Sequence, residues 1–230
     1  MRFWDRITLV NLADTQVTDV GLECLEGLSC LDQLYLGNTK VTDAGLEHLT
    51  GLTSLQSLGL KDTQVADAGL ARLKGLTKLE LLDLGNTQIH DAGLKHLKGL
   101  TSLKTLGLVN TQVTDVGLEL LKELTNLKRL SLNKTQVGDV GMEHLKGLPN
   151  LEWLGLNNTQ VSDAGLKHLN GLSSLNTVGL ENTPVTDAGL DHLKGLLSLR
   201  CLYLGNSQTT AEGRASVRKA LPKCVVIPDP

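Results

Sequence analysis

One 24-residue unit is repeated without a single insertion along almost the whole of this 230-residue chain. Aligned on LDQLYLGNTKVTDAGLEHLTGLTS, nine units cover residues 7–222 and share the pattern LxxLxLxxTxVTDxGLxxLxGLxx. A fixed period of about 20–50 residues is typical of solenoids, in which no unit can bury its apolar face alone. The chain therefore cannot fold as an ordinary compact globule, and each unit must pack against its neighbours.

Every unit predicts one strand followed by one helix. In the LxLxx segment the leucines lie two residues apart, so they point to one face of a strand. The repeated aspartate precedes an apolar pattern typical of a helix and is predicted to be the helix N-cap. Glycines such as Gly75 are predicted to end the helix in a left-handed conformation. The glycine two residues after each aspartate costs roughly 1 kcal/mol in a helix, which predicts close packing between adjacent turns.

The repeated unit resembles the leucine-rich-repeat family over nearly the whole chain. Its TDAGL segment is similar to the ribonuclease-inhibitor-like and cysteine-containing branches, although the ninth position holds threonine where those branches often have asparagine or cysteine. The resemblance implies an α/β, right-handed solenoid of horseshoe shape. A parallel sheet would form its concave side and helices its convex side. It does not imply one particular function.

We expect a single repeat domain with a cap at each end. Residues 1–6 are predicted to be an N-terminal cap, in which Phe3 and Trp4 cover the first turn. After the nine repeats of residues 7–222, residues 223–230 are predicted to form a C-terminal cap with a tenth strand at 225–227, stopped by Pro228. The alternative is that the chain is a segment of a longer solenoid.

The composition of the chain and its N-terminal sequence predict the type of core, the class of partner and the cellular location. Aromatic residues make up only 2% of the chain, so the core is predicted to be thin and aliphatic. The net charge of −3 provides no global basic field, so neither nucleic acid nor a membrane is expected as a partner. The N-terminus lacks a signal-peptide pattern, which predicts a cytoplasmic location. The four cysteines show no metal-binding spacing and are expected to be reduced, with a Cys201–Cys224 disulfide as the alternative.

The residues that suggest chemistry follow the repeat, whereas a catalytic site should interrupt it. The repeated aspartates are explained by their place at the helix start. Five of the six histidines occupy one helical position in different units, and helices packed about 8–10 Å apart hold them too far apart to share a zinc ion at about 2 Å from each ring. We therefore predict no catalytic residue, no metal site and no cofactor.

A binding site should instead lie where the copies differ, on the face of the sheet that carries no helices. Arg129 and Trp153 hold the same strand position in neighbouring units, so a cation–π contact is predicted. Because Gly107 and Gly155 have no side chain, each is predicted to leave a depression in the sheet surface where a ligand backbone could approach. The basic centre is completed by neighbouring polar side chains, acidic residues flank it, and two tyrosines form a second, weaker candidate. These are Lys104, Lys128, Lys134, Asn133 and Asn157, the acids Glu80, Asp83, Glu152 and Glu181, and Tyr35 and Tyr203.

The leading functional hypothesis is a monomeric, non-catalytic scaffold that binds a protein or peptide on the concave sheet. Exposed tryptophan, tyrosine and arginine are the usual anchors of protein interfaces. One alternative is recognition of a carbohydrate or another extended surface by regular Asn–Thr pairs such as Asn158-Thr159. Another is that the chain is the targeting segment of a larger enzyme.

Overall fold

The computed structural model describes residues 7–227, so the predicted contributions of Phe3, Trp4 and Pro228 lie outside the described residues. Ten short strands form one parallel sheet in which each strand pairs with the next one along the chain. The sheet does not close on itself, and its strand order follows the sequence, as the repeat predicts. The strands are β1 Leu9–Asn11, β2 Gln33–Tyr35, β3 Ser57–Gly59, β4 Leu81–Asp83, β5 Thr105–Gly107, β6 Arg129–Ser131, β7 Trp153–Gly155, β8 Thr177–Gly179, β9 Cys201–Tyr203 and β10 Val225–Ile227.

The register of the sheet places equivalent residues of successive units side by side. Leu106 pairs with Leu130, and Leu130 pairs with Leu154. From β2 to β9 the central residue of each strand is buried, and in most of these strands its two neighbours stay partly accessible on the opposite face. Since strands lie about 4.8 Å apart and helices about 8–10 Å apart, the sheet forms the concave side. We call this surface the open face.

The opposite side of the sheet carries one short helical segment or two in every unit. The predicted helices are present, but most contain only one or two turns. The α-helices are α1 Asp67–Leu70, α2 Asp91–Leu94, α3 Asp115–Glu119, α4 Asp163–Leu166, α5 Asp187–Leu193 and α6 Ala211–Ala220; the 3₁₀-helices are Asp19–Leu25, Gly45–Leu49, Ala71–Gly75, Lys95–Leu97, Gly141–Gly147 and Lys167–Leu169. No helix within residues 7–227 is long and apolar enough to cross a membrane.

The core is a single aliphatic layer between the sheet and the helical segments. Buried leucine, valine and isoleucine side chains form one continuous cluster, joined by Met142 and Cys224, and no aromatic side chain of residues 7–227 is buried in it. The prediction of a thin aliphatic core is confirmed. The repeated threonine is buried from Thr39 to Thr183 and donates to a carbonyl of its own turn, as from Thr159 Oγ1 to Leu156 O at 2.6 Å.

The predicted N-capping role of the repeated aspartates is wrong. In most units the cap is the residue before the aspartate, and hydroxyl caps such as Ser162 and Thr186 accept from a backbone N–H of their own helix. In the units of Asp43 and Asp139 the cap is the residue after the aspartate. Each aspartate instead reaches the next turn: Asp139 Oδ1 accepts from Ser162 N at 2.7 Å, and Asp139 Oδ2 accepts from Ser162 Oγ. Equivalent bonds to a backbone N–H recur from Asp19 to Asp187, so the aspartates join successive turns.

The glycines divide into one confirmed and one largely incorrect prediction. A Cβ atom on Gly165 would lie 2.5 Å from Asp139 Oδ1 of the preceding turn, which confirms close packing between turns. The left-handed helix end predicted for Gly75 is absent. Of the glycines in residues 7–227, only Gly27 and Gly171 have positive φ, so the predicted left-handed end is present after two helices and absent after the others. Most helices end in a hydrogen bond between residues three apart in the sequence, such as the bond from Leu76 N to Leu73 O. Such a bond requires no residue in the left-handed conformation.

The left-handed residue of each unit lies instead in the turn after the strand. Nine non-glycine residues have φ between 53° and 59°, and all nine occupy the eighth position of the unit. Eight of them are asparagine or aspartate, the residues that tolerate this conformation best. The ninth is Lys134. The Asn–Thr pairs are therefore part of the turn.

The cysteines are unbridged. Cys24, Cys30, Cys201 and Cys224 are all free thiols, as expected for reduced cysteines, and the alternative Cys201–Cys224 disulfide is not formed. Burial raises the pKa of the Cys224 thiol.

Candidate functional site

Arg129 and Trp153 are paired across strands β6 and β7 at the centre of the open face. The Arg129 guanidinium carbon lies 5.1 Å from the centroid of the Trp153 ring, so the predicted cation–π contact is confirmed. Arg129 is exposed and forms no ion pair with any carboxylate of residues 7–227. Stacking on the indole restricts the guanidinium but leaves its N–H groups available to a ligand.

The indole of Trp153 lies over its own strand and covers Gly155. A Cβ atom on Gly155 would lie 2.6 Å from Trp153 Cη2 and 2.8 Å from Asn133 Oδ1. Gly155 is accordingly buried, and the prediction that it leaves a depression for a ligand is wrong. The glycine instead leaves the space above the strand that the benzene ring of the indole occupies.

A depression of about 240 Å³ adjoins the Arg129–Trp153 pair, and we call it the central depression. Its floor is formed by strand β5, where Gly107 has no side chain and Thr105 a short one. At Gly107 the predicted depression is only partly open, because the glycine stays partly accessible while Asp83 Oδ1 would lie 2.6 Å from a Cβ added there. The lining residues are Leu81, Asp83, Thr105, Leu106, Gly107, Val109, Arg129, Ser131 and Trp153.

Several lining residues were not predicted as binding residues. Asp83 was expected only as a flanking acid, and Ser131 and Val109 were not singled out. The signal that could have found them is their register, because they follow or flank Gly107 in the repeat alignment. Comparing equivalent strand positions of neighbouring units would have placed these residues around Gly107.

The basic centre is smaller than predicted. Lys104 Nζ lies 2.8 Å from Glu80 Oε1, and Lys128 Nζ lies 2.8 Å from Glu152 Oε1. Both pairs are exposed, so each contributes little to stability, roughly 0–1 kcal/mol. Each lysine nevertheless has its positive charge paired with a carboxylate, which reduces the net positive charge of this surface. Neither lysine lines the central depression.

The two predicted asparagines belong to a ladder that joins the turns. Asn133 Oδ1 accepts from Asn157 N at 2.8 Å. Asn157 Oδ1 accepts from Glu181 N at 3.0 Å, and Asn157 Nδ2 donates to Glu181 Oε2 at 2.6 Å. Since their polar atoms are used between turns, a structural role accounts for both residues. Lys134 follows on the same turn, exposed and with φ of 58°.

The predicted tyrosines lie apart from this centre and from each other. Tyr35 is on β2, where its hydroxyl donates to Gln33 Oε1 at 3.2 Å and its ring covers Gly59. Tyr203 is on β9, two strands beyond Trp153, and its hydrogen bond with Cys201 raises the pKa of the phenol. The structure brings neither tyrosine to the central depression.

Four of the five histidines that share one position on the convex side are partly exposed, and His192 is exposed. Within residues 7–227 no group of three or more His, Cys, Asp or Glu side chains is arranged to hold a metal ion. His48 forms a 2.6 Å contact with Glu26 Oε1, and this hydrogen bond raises the pKa of the imidazole.

Comparison with known proteins gives the family. Models of the leucine-rich repeat match residues 101–161 and 75–98. The solved structure of internalin C2 from Listeria monocytogenes is 32% identical, with 92% of this chain and 84% of that chain covered and a TM-score of 0.71. This chain belongs to the leucine-rich-repeat family. The matches do not separate the branches, so the ribonuclease-inhibitor-like or cysteine-containing assignment stays a prediction.

Two more distant structures show the same leucine-rich-repeat fold. A leucine-rich-repeat protein of Leptospira interrogans is 22% identical, covers 94% of this chain and 59% of its own, and has a TM-score of 0.69. The internalin InlF of Listeria monocytogenes is 21% identical, covers 97% of this chain and 87% of its own, and has a TM-score of 0.54. No curated protein matches the sequence.

Proposed function

We propose that this leucine-rich-repeat chain is a non-catalytic binding module that takes a protein or peptide ligand on its open face, around Arg129 and Trp153. The observation that carries the proposal is an arginine without a carboxylate partner, stacked on the only tryptophan of the described residues, at the rim of the central depression. Arginine and tryptophan dominate the binding energy of many protein interfaces. The stacking limits the conformational freedom that a ligand would otherwise have to restrict.

The lining of the central depression supports binding more than catalysis. It contains no histidine, lysine or cysteine, and the one serine, Ser131, accepts a hydrogen bond from Asn133 Nδ2 at 3.3 Å. No carboxylate or imidazole of the described residues accepts a hydrogen bond from the Ser131 hydroxyl, and a nucleophile without such a base is not activated. Apolar walls at Leu81, Val109 and Trp153 with a few polar groups suit a peptide side chain.

The geometry favours a peptide over a carbohydrate. A sugar ring would need a free face of Trp153, yet Arg129 occupies one face and the ring lies over Gly155. The asparagines of the Asn–Thr pairs are turn residues, and some bond to one another, as from Asn110 Nδ2 to Asn86 Oδ1 at 2.9 Å. The polar ladder that suggested an extended surface is thus partly satisfied within the chain.

The test compares three immobilised proteins in affinity capture from a lysate of the source organism. They are the native chain, the Arg129→Ala/Trp153→Ala variant, and a matched control, Ser57→Ala/Thr177→Ala, changed at the same strand position on β3 and β8. Circular dichroism and urea unfolding establish that all three are folded. We expect a protein retained by the native chain and the control but lost from the Arg129→Ala/Trp153→Ala variant. Equal recovery by all three would rule out this surface, and a hit on a glycan array alone would favour the carbohydrate alternative.

A further inference from the structure

The charged side chains of the open face between β4 and β7 fall into two groups. The first group consists of two ion pairs at the residues that directly precede the strands. Glu80 pairs with Lys104, and Glu152 pairs with Lys128. Asp83, Arg129 and Lys134 form no ion pair with any residue of the described chain. Of these three, Asp83 and Arg129 line the central depression, so it carries one unpaired negative and one unpaired positive group.

The two groups come from strands on opposite sides of β5, and the Asp83 carboxylate reaches over Gly107. Asp83 ends β4 and Arg129 begins β6, with β5 and Gly107 between them. Two strand spacings of about 4.8 Å separate these strands by about 10 Å. Asp83 Oδ1 accepts from Gly85 N at 3.0 Å, which orients the carboxylate, and the Trp153 ring holds the guanidinium on the other side. Asp83 and Arg129 therefore form no ion pair with each other, and both remain available to a ligand.

We propose that the ligand of the central depression is a peptide segment that crosses the strands and carries two opposite charges. A lysine or arginine side chain pairs with Asp83, and an aspartate or glutamate side chain pairs with Arg129. Three residues of a polyproline-like segment rise about 9 Å, which matches the separation of the strands. The charged residues are therefore two or three positions apart, and the atoms between them contact Leu81, Val109 and the indole. This inference rests on the proposed function.

The same arrangement disfavours ligands of a single charge. An acidic peptide or a phosphate backbone bound to Arg129 would lie near the Asp83 carboxylate, and a basic peptide bound to Asp83 would lie near Arg129. Like charges brought together in this way weaken binding and discriminate against wrong partners. The central depression thus selects a segment whose charges complement both of its sides.

The test uses a library of random heptapeptides displayed on phage. Selection on the native chain is expected to enrich peptides with a basic and an acidic residue two or three positions apart. Selection on Arg129→Gln is expected to retain the basic residue and lose the acidic one, and selection on Asp83→Asn the reverse. Lys61→Gln, which changes an exposed open-face lysine outside the depression, should enrich the same peptides as the native chain.

Affinities of the enriched peptides, made synthetically, provide the measured effect. Each single substitution is expected to weaken binding about tenfold, as for loss of one hydrogen-bonded charge. Enriched peptides without the charge pair, or with unchanged preferences on the two variants, would overturn the charge assignment while leaving a peptide-binding module. If the native chain enriches no peptide over the Arg129→Ala/Trp153→Ala variant, both proposals fail.

Discussion

Gly165→Ala has two opposing effects on stability. Alanine favours the helix, but its methyl group would collide with the preceding turn, and we predict that the collision dominates and destabilises the protein. Gly165 lies within α4, where alanine is favoured over glycine by roughly 1 kcal/mol. A Cβ atom at this position would lie 2.5 Å from Asp139 Oδ1 and 3.1 Å from both Met142 Cγ and Val161 Cγ1. Real Cβ atoms do not approach so closely, so the carboxylate or the helix must move.

The cost follows from what Asp139 does in the structure. Its two oxygens accept from the Ser162 backbone and hydroxyl, and hydrogen bonds to charged groups contribute about 1.5–3 kcal/mol. Inserting a methyl group into a packed site adds about 1–3 kcal/mol. After subtraction of the helix preference of alanine, we expect Gly165→Ala to lower the free energy of unfolding by about 2–4 kcal/mol.

Urea unfolding followed by circular dichroism measures this loss. Gly99→Ala is the matched control, because nothing lies within 4 Å of its added Cβ and its φ is not positive. It should be neutral or stabilising by up to about 1 kcal/mol. In an Asp139→Ala background the clash with the carboxylate is removed, so Gly165→Ala should cost clearly less. Equal effects of the two glycine substitutions in the native chain would refute the reasoning.

Two further predictions concern a backbone conformation and a titrating pair. Lys134→Asn should raise the melting temperature, since asparagine tolerates the left-handed conformation better and the gain is about 1 kcal/mol; an unchanged or lower melting temperature would contradict this. The raised pKa of His48 means that its contact with Glu26 stabilises the fold fully below pH 6.5 and loses this contribution as pH rises through the raised value. Melting curves should therefore show that His48→Gln lowers stability at pH 6 and has little effect at pH 9.

The strands were predictable because their positions depend only on the period. Once every unit has the same length, equivalent leucines must stack, and the register of Leu106, Leu130 and Leu154 follows. The aspartates were harder, since their partners lie 23 residues away on the next turn. A capping rule considers only the residues of one helix. It placed Asp163 correctly at a helix start and gave it the wrong hydrogen-bond partner.

The site was only partly predictable for a similar reason. The pairing of Arg129 with Trp153 follows from register, because both occupy one strand position in adjacent units. The lysine pairs follow from register as well, because Lys104 and Lys128 each have one acid at their own position on an adjacent unit, Glu80 and Glu152. The direction of the Trp153 side chain, which covers Gly155 of its own strand, does not follow from register.

One exception to the repeat lies close to Arg129 and is not required by the fold. Lys134 holds the left-handed position of the turn that follows strand β6, where the other eight units use asparagine or aspartate. An asparagine there would keep the backbone conformation at lower cost. Unfavourable conformations retained at one position of a repeat are typical of sites where the side chain serves a ligand. A Lys134→Asn variant that is more stable but captures less ligand would extend the binding surface along this turn, and one with unchanged capture would confine it to the central depression.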